Sequence, residues 1–355
     1  MTAAATVKTR ILIISDTHCA SLTSSDGSTR APRPPFVLPL PKADLLIHCG
    51  DLTYTGEMSE YQQTLEMLRE IDAPVKLIIA GNHDLSLDRD FVFGHHEQNG
   101  LTEEQAEFKW KQARDLWTAS DGRAKMEGVT FLDEGVHQIE LPNGASVNVY
   151  ASAYTPEFCD WGFPYERDED CFNTPGRKLS DAKCISRYPV PDPVSQAPVD
   201  IMITHGPPWA RLDRTSKGDL AGCPHLLRAV MRARPLIHCF GHIHEGWGAE
   251  VVNWSPDAES ATAEATSCAE WTGGKWESGI ALDGGIERVS TDATAASELH
   301  AAYLDLSPSG WAIGQGKQTA MVNAAIMDVS YEPVNAPWLI DIDLPSGALE
   351  PSVRQ

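Results

Sequence analysis

The sequence predicts an α/β protein. Five short runs of branched apolar residues read as buried strands, and amphipathic segments of helical period lie between them. The carboxyl end of each run hands over to Asp, Asn or His, often with a glycine to make the turn. Loops beyond the carboxyl ends of strands are where α/β sheets gather their ligands.

In chain order, RILIIS leads to Asp16-Thr17-His18, and ADLLIHC to Gly50-Asp51. VKLIIA leads to Gly81-Asn82-His83-Asp84, VDIMIT to His205-Gly206, and PLIHCF to Gly241-His242-Ile243-His244. Extended backbone would point His242 and His244 the same way, because side chains alternate with period two. His48 and His238 lie inside strands and read as hydrogen-bonded core residues. Residues 57–72 place Met58, Tyr61, Leu65, Leu68 and Ile71 on one helical face. Residues 103–118 begin after Thr102 with Gln105 three positions on, the pattern of a capping box, and carry Ala106, Trp110, Ala113 and Trp117 as a core stripe. A shorter helix is expected over 223–233, and AAIMDVSY and WLIDIDLP read as late strands.

The 355 residues read as one domain over 7–345, with irregular insertions at about 19–43, 156–198 and 255–298. The formal net charge of −22 argues against binding a nucleic-acid duplex, for which a basic stripe is expected. A small anionic substrate remains compatible, because bound divalent cations reverse the local field. No apolar run approaches the roughly 20 residues of a membrane span. MTAAATVKTR runs directly into a strand without a signal-like apolar region, so a cytoplasmic protein is expected. The eight cysteines form no CxxC pair, and Cys159, Cys171 and Cys184 are expected to be free in a reducing compartment.

Asp16, His18, Asp51, Asn82, His205, His242 and His244 together offer carboxylate, carboxamide and imidazole donors without a thiolate. Such a set suits Mn, Fe, Zn or Mg rather than a structural zinc site. Seven donors exceed the needs of one tetrahedral ion and suit two if a carboxylate bridges; Asp51 is the expected bridge. Two ions about 3.5–4 Å apart clamp the attacking and leaving oxygens of a displacement at phosphorus. His83 is the histidine left over and the natural general acid, with Asp84 beside it.

In this order the motifs resemble those of the calcineurin-like metallophosphoesterase superfamily. The resemblance covers roughly residues 10–250 and implies two mixed β-sheets packed together with helices on both outer sides. It implies that one metal takes Asp16, His18, Asp51 and His244, and the other Asp51, Asn82, His205 and His242. It gives His83 a non-ligand role at the phosphoryl group or the leaving oxygen. GDLTYTG with GNHD resembles the cyclic-nucleotide phosphodiesterase branch, apart from Tyr54 where an acidic residue often stands. ISDTH, IAGNHD, ITHGPP and FGHIHEGWG are closer still to the metallophosphoesterase-domain-containing proteins of brain and foetal tissue.

The implied activity is a phosphodiesterase acting on cyclic or other small nucleotides by attack of a metal-bridging hydroxide. A phosphomonoesterase or nucleotidase on the same centre, and a nucleotide-binding protein with little turnover, are the alternatives. Trp209, Arg211 and Trp247 are candidate substrate contacts, by base stacking or phosphate pairing.

Overall fold

The structure, a computed structural model, describes residues 5–24, 36–179, 181–254 and 285–347. Parts of all three expected insertions, residues 25–35, 180 and 255–284, lie outside the described residues. The strands of the two large sheets begin with Thr6–Ile14 (β1), Leu45–His48 (β2), Val75–Ile78 (β3) and Val129–Phe131 (β4). Gly135–Glu140 (β5), Ser146–Ser152 (β6), Ile201–Thr204 (β7), Ile237–Phe240 (β8) and Gly248–Asn253 (β9) follow. Ile286–Arg288 (β10), Ala302–Asp305 (β11), Gln318–Asn323 (β12) and Trp338–Pro345 (β13) complete them.

One sheet has six strands in the order β11-β13-β1-β2-β3-β4; the other has seven, β10-β9-β12-β8-β7-β6-β5. Both are mixed. β1 is parallel to β2 and antiparallel to β13. In the second sheet β6, β7, β8 and β12 run parallel, while β5 and β9 are antiparallel to their neighbours.

Alternation along the strands explains the layers. Ile11, Ile13, Leu45, Ile47 and Leu77 face Val147, Val149, Ile201, Ile203, Ile237 and Val322 in one buried cluster between the sheets. The intervening residues Leu12, Ile14, Leu46 and Ile78 pack outward against the helices Met58–Arg69 (α1) and, beyond Arg89–Gly94 (α2), Glu103–Thr118 (α3). On the far side, after the short Arg123–Met126 (α4), Met202, Phe240 and Met321 pack under Pro224–Ala233 (α5). Helices therefore cover both outer faces, the arrangement expected of the sequence.

Thr102 and Gln105 form the expected capping box at α3. Trp117 is buried, but Trp110 is half-buried beside the Arg89 guanidinium, so only one of the two expected core tryptophans is in the core. AAIMDVSY is not a strand: β12 ends at Asn323, and the following residues turn sharply with Tyr331 at φ 58°. His48 and His238 are fully buried core residues, each 2.8 Å from a threonine hydroxyl, Thr17 and Thr204 respectively. The described cysteines are free thiols. No helix among the described residues is long and apolar enough to cross a membrane.

Deleting side-chain volume between the sheets leaves a cavity that rigid strands cannot close. Ile203→Ala is expected to cost about 2–5 kcal/mol, read from urea unfolding. Phe108→Ala, at a residue 66% exposed, is expected to stay within about 0.5 kcal/mol. Equal effects would show that the inter-sheet layer is not the core.

Candidate metal centre

The five strand ends converge on one point at the seam of the two sheets. β1, β2 and β3 deliver Asp16, Asp51 and Asn82 from the first; β7 and β8 deliver His205 and His242 from the second. The turns that aim them are tight. Asp16, His18, Asp51 and His242 have φ of 52°, 40°, 55° and 65°, a left-handed backbone costing L-residues roughly 1–2 kcal/mol each. A Cβ on Gly81 would collide with Asp51, and one on Gly241 with Asp16, so these motif glycines are needed for close approach. His242 and His244 do not share an extended backbone: His242 is left-handed and His244 opens a one-turn 3-10 helix. They still reach the same centre.

Backbone carbonyls fix the ring nitrogens. Nδ1 of His18 lies 2.8 Å from Thr53 O, that of His205 2.9 Å from Cys49 O, and that of His244 2.9 Å from Asp328 O. With Nδ1–H donating outward, each neutral ring presents an Nε2 lone pair to the centre. His18 Nε2 is buried without a hydrogen-bond partner and stands 3.5 Å from Asp51 Oδ2. His205 Nε2 stands 3.3 Å from Asp51 Oδ1 and 2.8 Å from Asn82 Oδ1, which also lies 2.8 Å from His242 Nδ1. His244 Nε2 is 3.4 Å from Asp16 Oδ1.

Lone pairs thus face lone pairs, and only a proton or a metal cation reconciles them. The donor set fits two divalent ions on that ground. Asp16, His18 and His244 form one group with ligand atoms close enough to share an ion; Asp16, Asp51 and His205 form another. The two oxygens of Asp51 face different histidines, His18 and His205.

Without metal, protons take the cations' place. Burial alone would raise Asp16, but its contact with His244 holds it down at about 2. Burial opposes charge on His205 and His244, yet Asp51 and Asp16 respectively outweigh it and push both up to about 9. Burial wins at His18 and His242, which fall to about 4 and about 3.

His83 stands apart from this set. Its backbone N–H donates to Asp51 Oδ1 at 2.9 Å, and its Nδ1 is 2.8 Å from Tyr54 O. The ring lines a cavity of about 370 Å³ that also touches Asp51, Asn82, His242 and His244.

Four other expected site residues are placed elsewhere. Asp84 is fully buried and accepts from Gly81 N, Leu52 N, Thr53 N and Thr53 Oγ1, tying the loops after β2 and β3 together. Burial and the Asp51 charge push it up to about 7 against those donors. It positions the loops and does not reach the cavity. Arg211 is buried in an ion pair with Glu250 at 3.0 Å, a partner that no local pattern announces. Trp209 packs in the layer beneath α5, and Trp247 stacks on Trp338 with its Nε1–H donating to Ala336 O. None of these four lines the cavity.

The residues that do line it, and that sequence reasoning missed, include Trp161, Phe158 and Tyr331. Trp161 stacks on His83 with ring centroids 3.9 Å apart, and Tyr331 stands edge-on to His18 and His244. The aromatic spacing in PEFCDWGFP was the available signal.

A two-sheet α/β scaffold carrying an oxygen–nitrogen donor cluster for two ions defines the class. The calcineurin-like phosphoesterase family model matches residues 9–246, and the chain belongs to that family of metal-dependent phosphoester hydrolases. Metallophosphoesterase domain-containing protein 1 of Homo sapiens is 30% identical over 247 residues, covering 68% of this chain and 62% of the human protein. A UPF0046 protein of Caenorhabditis elegans is 30% identical over 214 residues, 59% of this chain and 48% of the worm protein. A probable rhamnogalacturonate lyase C of Emericella nidulans is 31% identical over 247 residues, but the match is 69% of this chain and only 18% of that protein. The chain therefore spans less than two thirds of the length of these relatives.

The protonation pattern fixes a sign for the metal-free protein. Folded His205 and His244, raised to about 9 from 6.5, contribute stability that is full below about pH 6.5 and lost as pH rises through 9. Chelator-treated protein is expected to unfold at lower urea at pH 9.5 than at pH 6.5. An unchanged midpoint across that range would contradict the assigned ion pairs.

Proposed function

We propose that the protein is a cytoplasmic two-metal phosphodiesterase acting on cyclic nucleotides or related small nucleotide diesters. The observation that carries this reading is the placement of His83. It is tied to Asp51, it faces the cavity, and the ligand geometry does not use it.

Asp16, His18, Asp51 and His244 would hold one ion, and Asp51, Asn82, His205 and His242 the other. When bound, such a pair acidifies water and offsets charge on phosphoryl oxygens. The protein's own residues supply orientation and a proton. Tyr54 O holds the His83 Nδ1–H, which turns Nε2 towards the cavity. A protonated Nε2 donates its hydrogen to the departing oxygen, while Nδ1–H stays on the carbonyl. The His83 backbone N–H on Asp51 Oδ1 fixes the distance between this acid and the metal ligands. Asp84 holds the loop pair in register. Manganese is the first ion to test, because this donor set accepts Mn, Fe and Zn alike and availability decides between them.

His83→Ala is expected to retain its metal content and to lose about 10²–10⁴-fold in turnover. Loss of metal from this variant would make His83 a ligand instead. Manganese-loaded protein is expected to hydrolyse bis-p-nitrophenyl phosphate and 3′,5′-cAMP faster than p-nitrophenyl phosphate. The reverse order would make it a monoesterase.

A further inference from the structure

The segment after β6 is built oddly for a surface loop. Cys159, Asp160 and Phe163 all adopt left-handed backbone, with φ of 56°, 58° and 53°. Three such residues so close together are costly without glycine. The loop is nevertheless anchored: Gly162 N donates to Asn82 O at 3.0 Å, and Phe163 N donates to Asp88 Oδ2 at 2.6 Å. Its path is therefore fixed to the very turn that carries Asn82 and His83.

Two rings of this segment line the cavity. Trp161 lies nearly parallel to His83, at an interplanar angle of 26°. Phe158 lines the cavity while 62% exposed, so most of its apolar surface stays in solvent. Val329, 59% exposed, and Tyr331, 39% exposed, line the same cavity. Exposed apolar residues gathered round a cavity mark a binding surface. Because Trp161 covers the proton donor, this apolar wall adjoins the position of the departing oxygen.

We propose that Phe158 and Trp161 form a subsite for a planar aromatic group on the leaving side of the phosphoester. In the phosphodiesterase reading on which this rests, that group is a nucleobase. Both residues are aromatic, so the subsite would favour stacking geometry as well as apolar area.

Calorimetric titration of the metal-loaded protein with methyl-, cyclohexyl- and phenylphosphonate tests this without turnover. Phenylphosphonate is expected to bind at least tenfold more tightly than methylphosphonate and at least threefold more tightly than cyclohexylphosphonate. Phe158→Ala is expected to shrink the phenyl-to-methyl ratio at least fivefold, and Phe158→Tyr to retain it. Phenyl binding no tighter than methyl, cyclohexyl matching phenyl, or a ratio untouched by Phe158→Ala would each overturn the subsite and leave the hydrolase reading standing. Failure of every phosphonate to bind would overturn both.

Discussion

One carboxylate organises this molecule. Asp51 points one oxygen at His18 and the other at His205, and the oxygen facing His205 also accepts the His83 backbone N–H. Those partners arrive from opposite sheets, so the two sheets must stay in fixed register for the carboxylate to meet both. The apolar layer between them supplies that register. A parallel bridge between Ser15 and Ala325 adds a direct link between the strand ends beside the site.

The chemistry draws on this rigidity. Four of the seven convergent residues hold a strained left-handed backbone, which persists only where the surroundings over-determine it. Here the surroundings are the four donors on Asp84, the carbonyls that hold the imidazole Nδ1 atoms, and glycines admitting no side chain. Asp328 shows how far the support extends. Its carbonyl orients His244, while its carboxylate accepts from Ser330 N and Glu332 N and so shapes the turn that brings Tyr331 over the site.

Much of this was legible in the sequence, for a physical reason. A strand buried on both faces shows as an unbroken apolar run, and a donor at its end shows as the first polar residue after it. Asp16, Asp51, Asn82, His205 and His242 could be read that way, and so could the helices whose stripes pack on the sheets. What escaped depended on contacts distant in sequence. Arg211 looked available until Glu250 appeared beside it, and Trp247 until Trp338 did. Trp161 and Tyr331 sit on irregular backbone, where no periodicity says which way a side chain points. AAIMDVSY had the composition of a strand and became the turn bearing Tyr331.

If Asp51 holds two cations at once, manganese makes that directly visible. Protein reconstituted with Mn(II) is predicted to hold two ions per chain and to give an exchange-coupled electron paramagnetic resonance spectrum, with Asp51→Ala abolishing the coupling. A single ion per chain, or two with the separate six-line signals of isolated Mn(II), would contradict it.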